Sequence, residues 1–114
     1  MLIRLRDSYL TGTGPVHLDV TIGDGQRAYV EVSINGTVLD SGSQITQRLL
    51  GGGPELAGKR LRVTSTVTDT NPSTNHTAVT YVLRHGQSEK RWVSDHTVDV
   101  EGGTVDYDAI FMML

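Results

Sequence analysis

Two neighbouring stretches of the sequence decide the fold: residues 16–22 read Val-His-Leu-Asp-Val-Thr-Ile, and residues 27–34 read Arg-Ala-Tyr-Val-Glu-Val-Ser-Ile. In both stretches apolar and polar side chains alternate without a break. Strict alternation is typical of a β-strand with one buried and one solvated face. The pattern therefore predicts two half-buried strands, with these side chains turned inward: Val16, Leu18, Val20, Ile22, Ala28, Val30, Val32 and Ile34.

The dipeptide Asn35-Gly36 directly follows the second strand and is the strongest hairpin signal in the chain. A two-residue turn here leads into a strand over residues 37–40. It would pair Ile34 with Thr37 and Val32 with Leu39. We therefore expect Leu39 to join the buried face.

The remainder of the chain continues as short strands separated by turn formers. Residues 44–50 predict a short strand and residues 55–58 a single helical turn, while Leu61, Val63 and Val67 mark another strand. Residues 69–75 are dense in turn formers and predict an exposed loop. A strand over 76–84 and a turn at His85-Gly86 follow. A last hairpin is expected from strands 91–101 and 104–114, closed by Gly102-Gly103.

Composition favours the same architecture. The chain of 114 residues holds 13 Val, 14 Thr and 13 Gly but only two Lys and four Glu, so strand and turn formers outnumber helix formers. We predict a single all-β domain over residues 1–114, an antiparallel two-sheet β-sandwich of immunoglobulin-like or jelly-roll type with about eight strands. A small closed β-barrel is the alternative.

Charge and residue usage exclude several function classes. A formal net charge of −3 gives no reason to expect nucleic acid, and no apolar run is long enough for a membrane span. No cysteine is present for a disulfide or a thiolate metal site, and no pattern implies a cofactor. The first residues lack a signal peptide's apolar stretch, so cytosolic residence is expected; leaderless export or removal of a leader stays open.

Catalytic motifs are also missing, and we expect no enzyme. No serine lies in a Gly-x-Ser-x-Gly elbow, and Gly51-Gly52-Gly53-Pro54 lacks the lysine and helix of a phosphate loop. If Gly23-Asp24-Gly25 closes a three-residue hairpin, His17, Glu31 and Asp40 line up on an outer face. Exposed polar faces produce such rows by chance, and we assign no catalytic or metal site to them.

Four carboxylates gather in the expected last hairpin. A two-residue turn at Gly102-Gly103 would place Asp99 directly opposite Asp106, with Glu101 and Asp108 on the same outer surface. Like charges opposite each other destabilise a sheet. This acidic strip could be offset by a hard cation such as calcium, by a basic partner surface, by solvation, or by arginines of a neighbouring strand. The arginines considered are Arg4 and Arg6, or Arg60 and Arg62. No calcium-loop spacing supports a metal.

The last residues carry the main functional expectation. Residues 109–114 are apolar on both strand faces, so Ile110, Met112 and Leu114 either lie buried or face another molecule. Exposed apolar strips are hazardous unless covered. We therefore expect a non-enzymatic protein-interaction or structural assembly module, a homo-oligomer or an accessory subunit, whose interface is formed by these three residues and the acidic strip.

Two other binding functions remain as alternatives. A carbohydrate-binding sandwich would stack a sugar ring on exposed aromatic side chains, for which Tyr29 and Trp92 are the candidates. This alternative rests on the fold class rather than on a motif. A calcium-dependent binding module comes third.

Overall fold

The computed structural model describes residues 1–114 and consists of nine strands with one short helix. In chain order the elements are β1 (Leu2–Tyr9), β2 (Pro15–Ile22), β3 (Arg27–Ile34), β4 (Thr37–Gly42), β5 (Ile45–Gly52), α1 (Gly53–Leu56), β6 (Arg60–Thr68), β7 (His76–His85), β8 (Ser88–Thr97) and β9 (Thr104–Met113). The expected strands are all present, and the helical turn lies two residues earlier than predicted.

The strands form two sheets that pack face to face as a sandwich, and no barrel closes. The five-stranded sheet has the order β1-β9-β6-β3-β4, and the four-stranded sheet has the order β5-β2-β7-β8. Every pairing is antiparallel except that of β1 with β9, which is parallel. The predicted two-sheet β-sandwich is confirmed, and β9, the last strand, lies between the first strand and β6.

The core forms where the inward faces of both sheets meet. Val16, Leu18 and Val20 from β2 and Val30 and Val32 from β3 are fully buried, as their alternation predicts. Tyr81, Tyr107 and Phe111 are the largest fully buried side chains. Ile22, Ala28 and Ile34 are half-buried at the rim of the core. Period-2 alternation therefore predicted the inward face correctly.

The Asn35-Gly36 turn has the expected geometry but a different register behind it. Both residues have positive φ, 48° and 84°, as a type I′ turn requires, and Ile34 pairs with Thr37. A bulge then shifts the register, so that Val32 pairs with Asp40 rather than Leu39. Leu39 is consequently only half-buried, and its predicted place in the buried face is wrong.

Two other expected hairpins are crossings between the sheets. Residues 23–26 carry the chain from β2 in the four-stranded sheet to β3 in the five-stranded sheet. His17 and Glu31 therefore lie on different sheets, and the predicted row with Asp40 does not form. A glycine-rich turn has the same local sequence whether the next strand joins the same sheet or the facing one.

The last predicted hairpin is wrong for the same reason. β8 ends at Thr97, and residues 98–103 cross from the four-stranded sheet to β9 in the other. Val98 turns inward with 8% exposure, and its N–H donates to the carbonyl of Asn75 at 3.0 Å. The N–H of Gly103 donates to the carbonyl of Val100 at 3.0 Å and closes the loop.

Gln26 holds the loops at this end of the sandwich. Its side-chain carbonyl accepts hydrogen bonds from the backbone N–H groups of Thr70 (2.7 Å) and Asn71 (2.8 Å). Its side-chain NH₂ donates to the carbonyls of Thr74 (3.1 Å) and His76 (3.0 Å). The residue is 8% exposed, so three backbone groups of the β6–β7 loop and one at the start of β7 depend on one buried amide.

Replacing Gln26 with Ala is expected to lower the free energy of unfolding by about 2 kcal/mol, because several partly buried backbone groups lose their partner. Urea unfolding followed by circular dichroism measures the loss. Gln87→Ala, in the exposed β7–β8 turn, is the matched control and should change stability by less than about 0.5 kcal/mol. Equal effects from both variants would show that the Gln26 amide does not stabilise the loop.

Candidate interaction surface

Along the outward face of β9, two charged side chains are followed by two apolar ones. Val105, Tyr107, Ala109, Phe111 and Met113 point into the core and are buried. Because side chains alternate along a strand, the residues between them lie on the outer face of the sheet: Asp106, Asp108, Ile110 and Met112. The six apolar residues at the end of the chain are thus divided between core and surface. Ile110 is half-buried, and Met112 is 39% exposed.

Arginines flank these two apolar residues on the neighbouring strands. Ile110 lies between Arg6 of β1 and Arg62 of β6, and Met112 lies between Ser8 of β1 and Arg60 of β6. One step back along β9, Asp108 lies beside Arg4. We call the surface formed by Arg4, Arg6, Arg60, Arg62, Ile110 and Met112 the arginine face.

Asp108 orders the centre of the arginine face. Its carboxylate accepts hydrogen bonds from Nε of Arg62 at 2.9 Å and from a terminal NH₂ of Arg62 at 3.2 Å. The second oxygen also accepts one from Arg6 at 3.2 Å, and Arg6 reaches the backbone carbonyl of Asp108 at 2.7 Å. Burial raises the pKa of Asp108, but the hydrogen bonds and charges of Arg62 and Arg6 outweigh burial and hold it below its ordinary value. The Asp108 carboxylate in turn raises the pKa of Arg62.

The predicted acidic strip does not exist as one surface. Asp99 and Glu101 lie in the 98–103 crossing and are exposed, whereas Asp106 and Asp108 lie on β9. Asp106 accepts a hydrogen bond from the Thr66 hydroxyl at 2.9 Å. Four ways of offsetting the charge of these carboxylates were considered. For Asp108 the charge is offset by arginines of the neighbouring strands: Arg6 from one expected pair and Arg62 from the other.

Leu114 follows the end of β9 and is held by backbone hydrogen bonds to the end of β1 and the segment after it. Its N–H donates to the carbonyl of Tyr9 at 2.8 Å, and its own carbonyl accepts from the N–H and hydroxyl of Thr11. The side chain is 57% exposed and borders a cavity of about 480 Å³ together with Leu10 and His85. The same cavity is lined by Ser8, which is the β1 neighbour of Met112.

The two candidate sugar platforms lie on opposite sheets. Tyr29 is 56% exposed on the outer face of β3. Trp92 turns toward the core, with its ring centroid 4.5 Å from that of Phe111, and its Nε1–H donates to the carboxylate of Asp7 at 2.7 Å. That hydrogen bond lowers the pKa of Asp7. Trp92 closes the open side of the sandwich and offers no free ring face beside Tyr29.

A histidine that the sequence did not distinguish joins three separate segments. Nδ1 of His76 lies 2.6 Å from the carboxylate of Asp24 in the 23–26 crossing, and Nε2 lies 2.9 Å from that of Asp95 on β8. The hydrogen bonds to Asp95 and Asp24 raise the pKa of His76. Asp95 could not be anticipated, because His76 and Asp95 meet only through the β7–β8 register.

Two further features bear on the alternatives. No group of three or more His, Asp or Glu side chains is placed to hold a metal ion. No helix is long and apolar enough to cross a membrane. Comparison of the chain with protein-family models, curated proteins and solved structures found no match in any of the three.

The Asp108→Asn variant should have a free energy of unfolding about 2 kcal/mol lower than that of the wild type at pH 7, because it loses charge-assisted hydrogen bonds in a nearly buried site. A carboxyl whose pKa is lowered by folding stabilises the folded state at any pH above its ordinary pKa. That stabilisation is lost as the pH falls through the lowered pKa of the folded state. The difference between variant and wild type should therefore shrink in strong acid. Urea unfolding at both pH values measures it, with Asp106→Asn as control. A gap that is unchanged in acid would contradict the assigned role of the charge.

His76 should make stability fall as pH rises. A raised pKa stabilises the fold fully below the ordinary value of about 6.5, and the contribution is lost as pH rises through the raised value. His76→Gln should flatten the decline above pH 6.5 in a series of thermal melts. His17→Gln, on the outer face of the same sheet and without a side-chain hydrogen bond, is the control for the loss of an imidazole. Parallel curves for wild type and His76→Gln would refute the assignment.

Proposed function

We propose that this protein is a non-enzymatic protein-binding module, an accessory subunit of a larger assembly, and that the arginine face is its contact surface. The observation that carries the proposal is the position of Ile110 and Met112. They lie on the outer face of β9, an interior strand of the sheet, and no other layer of the fold packs over them. Neighbouring apolar side chains that form an exposed patch are typical of surfaces that bind another molecule.

The composition of the face supports protein binding. Interface centres are enriched in arginine, methionine and aromatic residues and depleted of lysine and glutamate. Around Met112 and the four arginines the outer surface of the same sheet adds Leu2, Tyr29 and Val38, all of them more than 45% exposed. No lysine lies on any of its five strands.

The size and rigidity of the face fit the same function. The arginine face lies on three strands of the five-stranded sheet, and the whole outer surface of that sheet, with five strands at about 4.8 Å and eight residues at about 3.3 Å, measures roughly 24 by 26 Å. That approaches the roughly 800 Å² that each partner buries in a standard interface. Arg6 and Arg62 are already oriented by Asp108, so binding would cost less side-chain entropy than it would with free side chains.

Met112→Lys should weaken association at least tenfold without lowering the melting temperature, because it places a charge at the centre of the contact surface. Val93→Lys is the matched control: Val93 is also apolar and is 59% exposed, but it lies on the outer face of the four-stranded sheet. Light scattering reports self-association, and affinity capture from the native source with quantitative mass spectrometry reports other partners. The proposal would be refuted if the wild-type protein is a monomer in solution and captures no partner.

A further inference from the structure

We infer that the arginine face binds an amphipathic segment of a different protein, in which two carboxylates flank apolar side chains, rather than a second copy of this chain. This inference rests on the proposed function and names the partner chemistry for the same surface. Three observations support it. Some arginines of this face have no carboxylate partner, these arginines lie on either side of Ile110, and a second copy of the chain would place arginines against them.

The unpaired arginines all lie on the outer surface of the five-stranded sheet. Arg6, Arg48, Arg62, Arg84 and Arg91 each form an ion pair with an Asp or Glu. The other three arginines of the chain have no carboxylate within 4.0 Å: Arg4 on β1, Arg27 on β3 and Arg60 on β6. A guanidinium is planar, always charged and shaped to hold a carboxylate through two hydrogen bonds.

The charge of this surface is opposite to that of the whole chain. The outer face of the sheet carries five arginines (Arg4, Arg6, Arg27, Arg60 and Arg62) and three carboxylates (Glu31, Asp106 and Asp108), a local net charge of +2 on a chain of net charge −3. The other two carboxylates of these strands, Asp7 and Asp40, are in register with the buried residues Phe111 and Val32 and so lie on the inner face. Complementary potential steers partners to a surface and sets their register. The positive charge of this surface therefore favours a partner with an acidic surface.

Arg4 and Arg60 lie at opposite ends of a diagonal that passes over Ile110. Arg4 is in register with Asp108, and Arg60 with Met112, so Ile110 is the midpoint on the strand between them. Two strand spacings and four residues along the strand separate the two arginines by about 16 Å. On a helix, carboxylates at positions i and i+11 lie on one face about 16 Å apart. Apolar side chains at i+4 and i+7 would then lie on either side of Ile110, with the second on the side of Met112.

A second copy packed face to face would meet like charge. A two-fold axis along β9 places Arg6 of one copy over Arg62 of the other. A two-fold axis across the strands, between Ile110 and Met112, places Arg62 of one copy over Arg60 of the other. Both arrangements bring guanidinium against guanidinium at the centre of the contact, where repulsion is least screened.

The test uses charge reversal and zero-length cross-linking in the intact protein. The double variant Arg4→Glu/Arg60→Glu should bind the captured partner at least tenfold more weakly, with wild-type unfolding, and Arg91→Glu on the other sheet should not. The double variant Arg4→Lys/Arg60→Lys keeps the charge and supplies amines. Carbodiimide should couple these amines to Asp or Glu of the partner, about eleven residues apart on a helix.

Each result has one reading. Cross-links to aspartate or glutamate of another protein support the inference, and their spacing tests the helix. Cross-links to a second copy of the chain, or capture that nuclease abolishes, would overturn it. If Met112→Lys abolishes binding and Arg4→Glu/Arg60→Glu does not, this inference fails while the proposed function stands. If neither variant changes the capture seen with wild type, both fail.

Discussion

The pairing of β9 between β1 and β6 is the constraint on which the rest of the structure depends. The last strand forms a parallel ladder with the first and an antiparallel ladder with the sixth, so it holds the edge strand β1 onto the rest of the five-stranded sheet. Its inward residues supply Tyr107, Phe111 and Met113 to the core. Its outward residues set the centre of the arginine face, because their order along β9 decides which arginines become neighbours. One strand therefore determines both the packing inside and the chemistry outside.

Asp108 shows how that pairing turns into chemistry. Arg6 and Arg62 come from strands 56 residues apart in sequence, and they share one carboxylate only because β9 runs between them. One carboxylate between two guanidinium groups leaves a net charge of +1, and the hydrogen bonds to Asp108 fix the orientation of both guanidinium groups. Beside that triad, Ile110 and Met112 have no charge to satisfy and no layer above them. The same arrangement thus produces order, charge and exposed apolar surface within a few residues.

The sequence predicted what depends on local pattern and failed where the fold depends on pairing between distant residues. Alternation in 16–22 and 27–34 predicted the buried side chains of β2 and β3 correctly, and Asn35-Gly36 predicted its turn because positive φ at both positions leaves few other structures. Gly102-Gly103 misled, since glycine permits a hairpin and a crossing equally well. The acidic strip depended on that error, whereas Arg4 and Arg6, like Arg60 and Arg62, already had the spacing of residues that share a strand face. Only the register of β1 and β6 against β9 shows that they surround Ile110.

The parallel pairing of β1 with β9 also has a consequence for how the protein is made. Synthesis delivers β1 first and β9 about a hundred residues later, and β1 has no other hydrogen-bonded neighbour in its sheet. Until residues 104–113 arrive, β1 has no strand to join and β6 lacks a neighbour on one side. The β7–β8 hairpin is local and needs neither, so it can form early. The arginine face therefore cannot form until residues 104–113 are available to pair with β1 and β6.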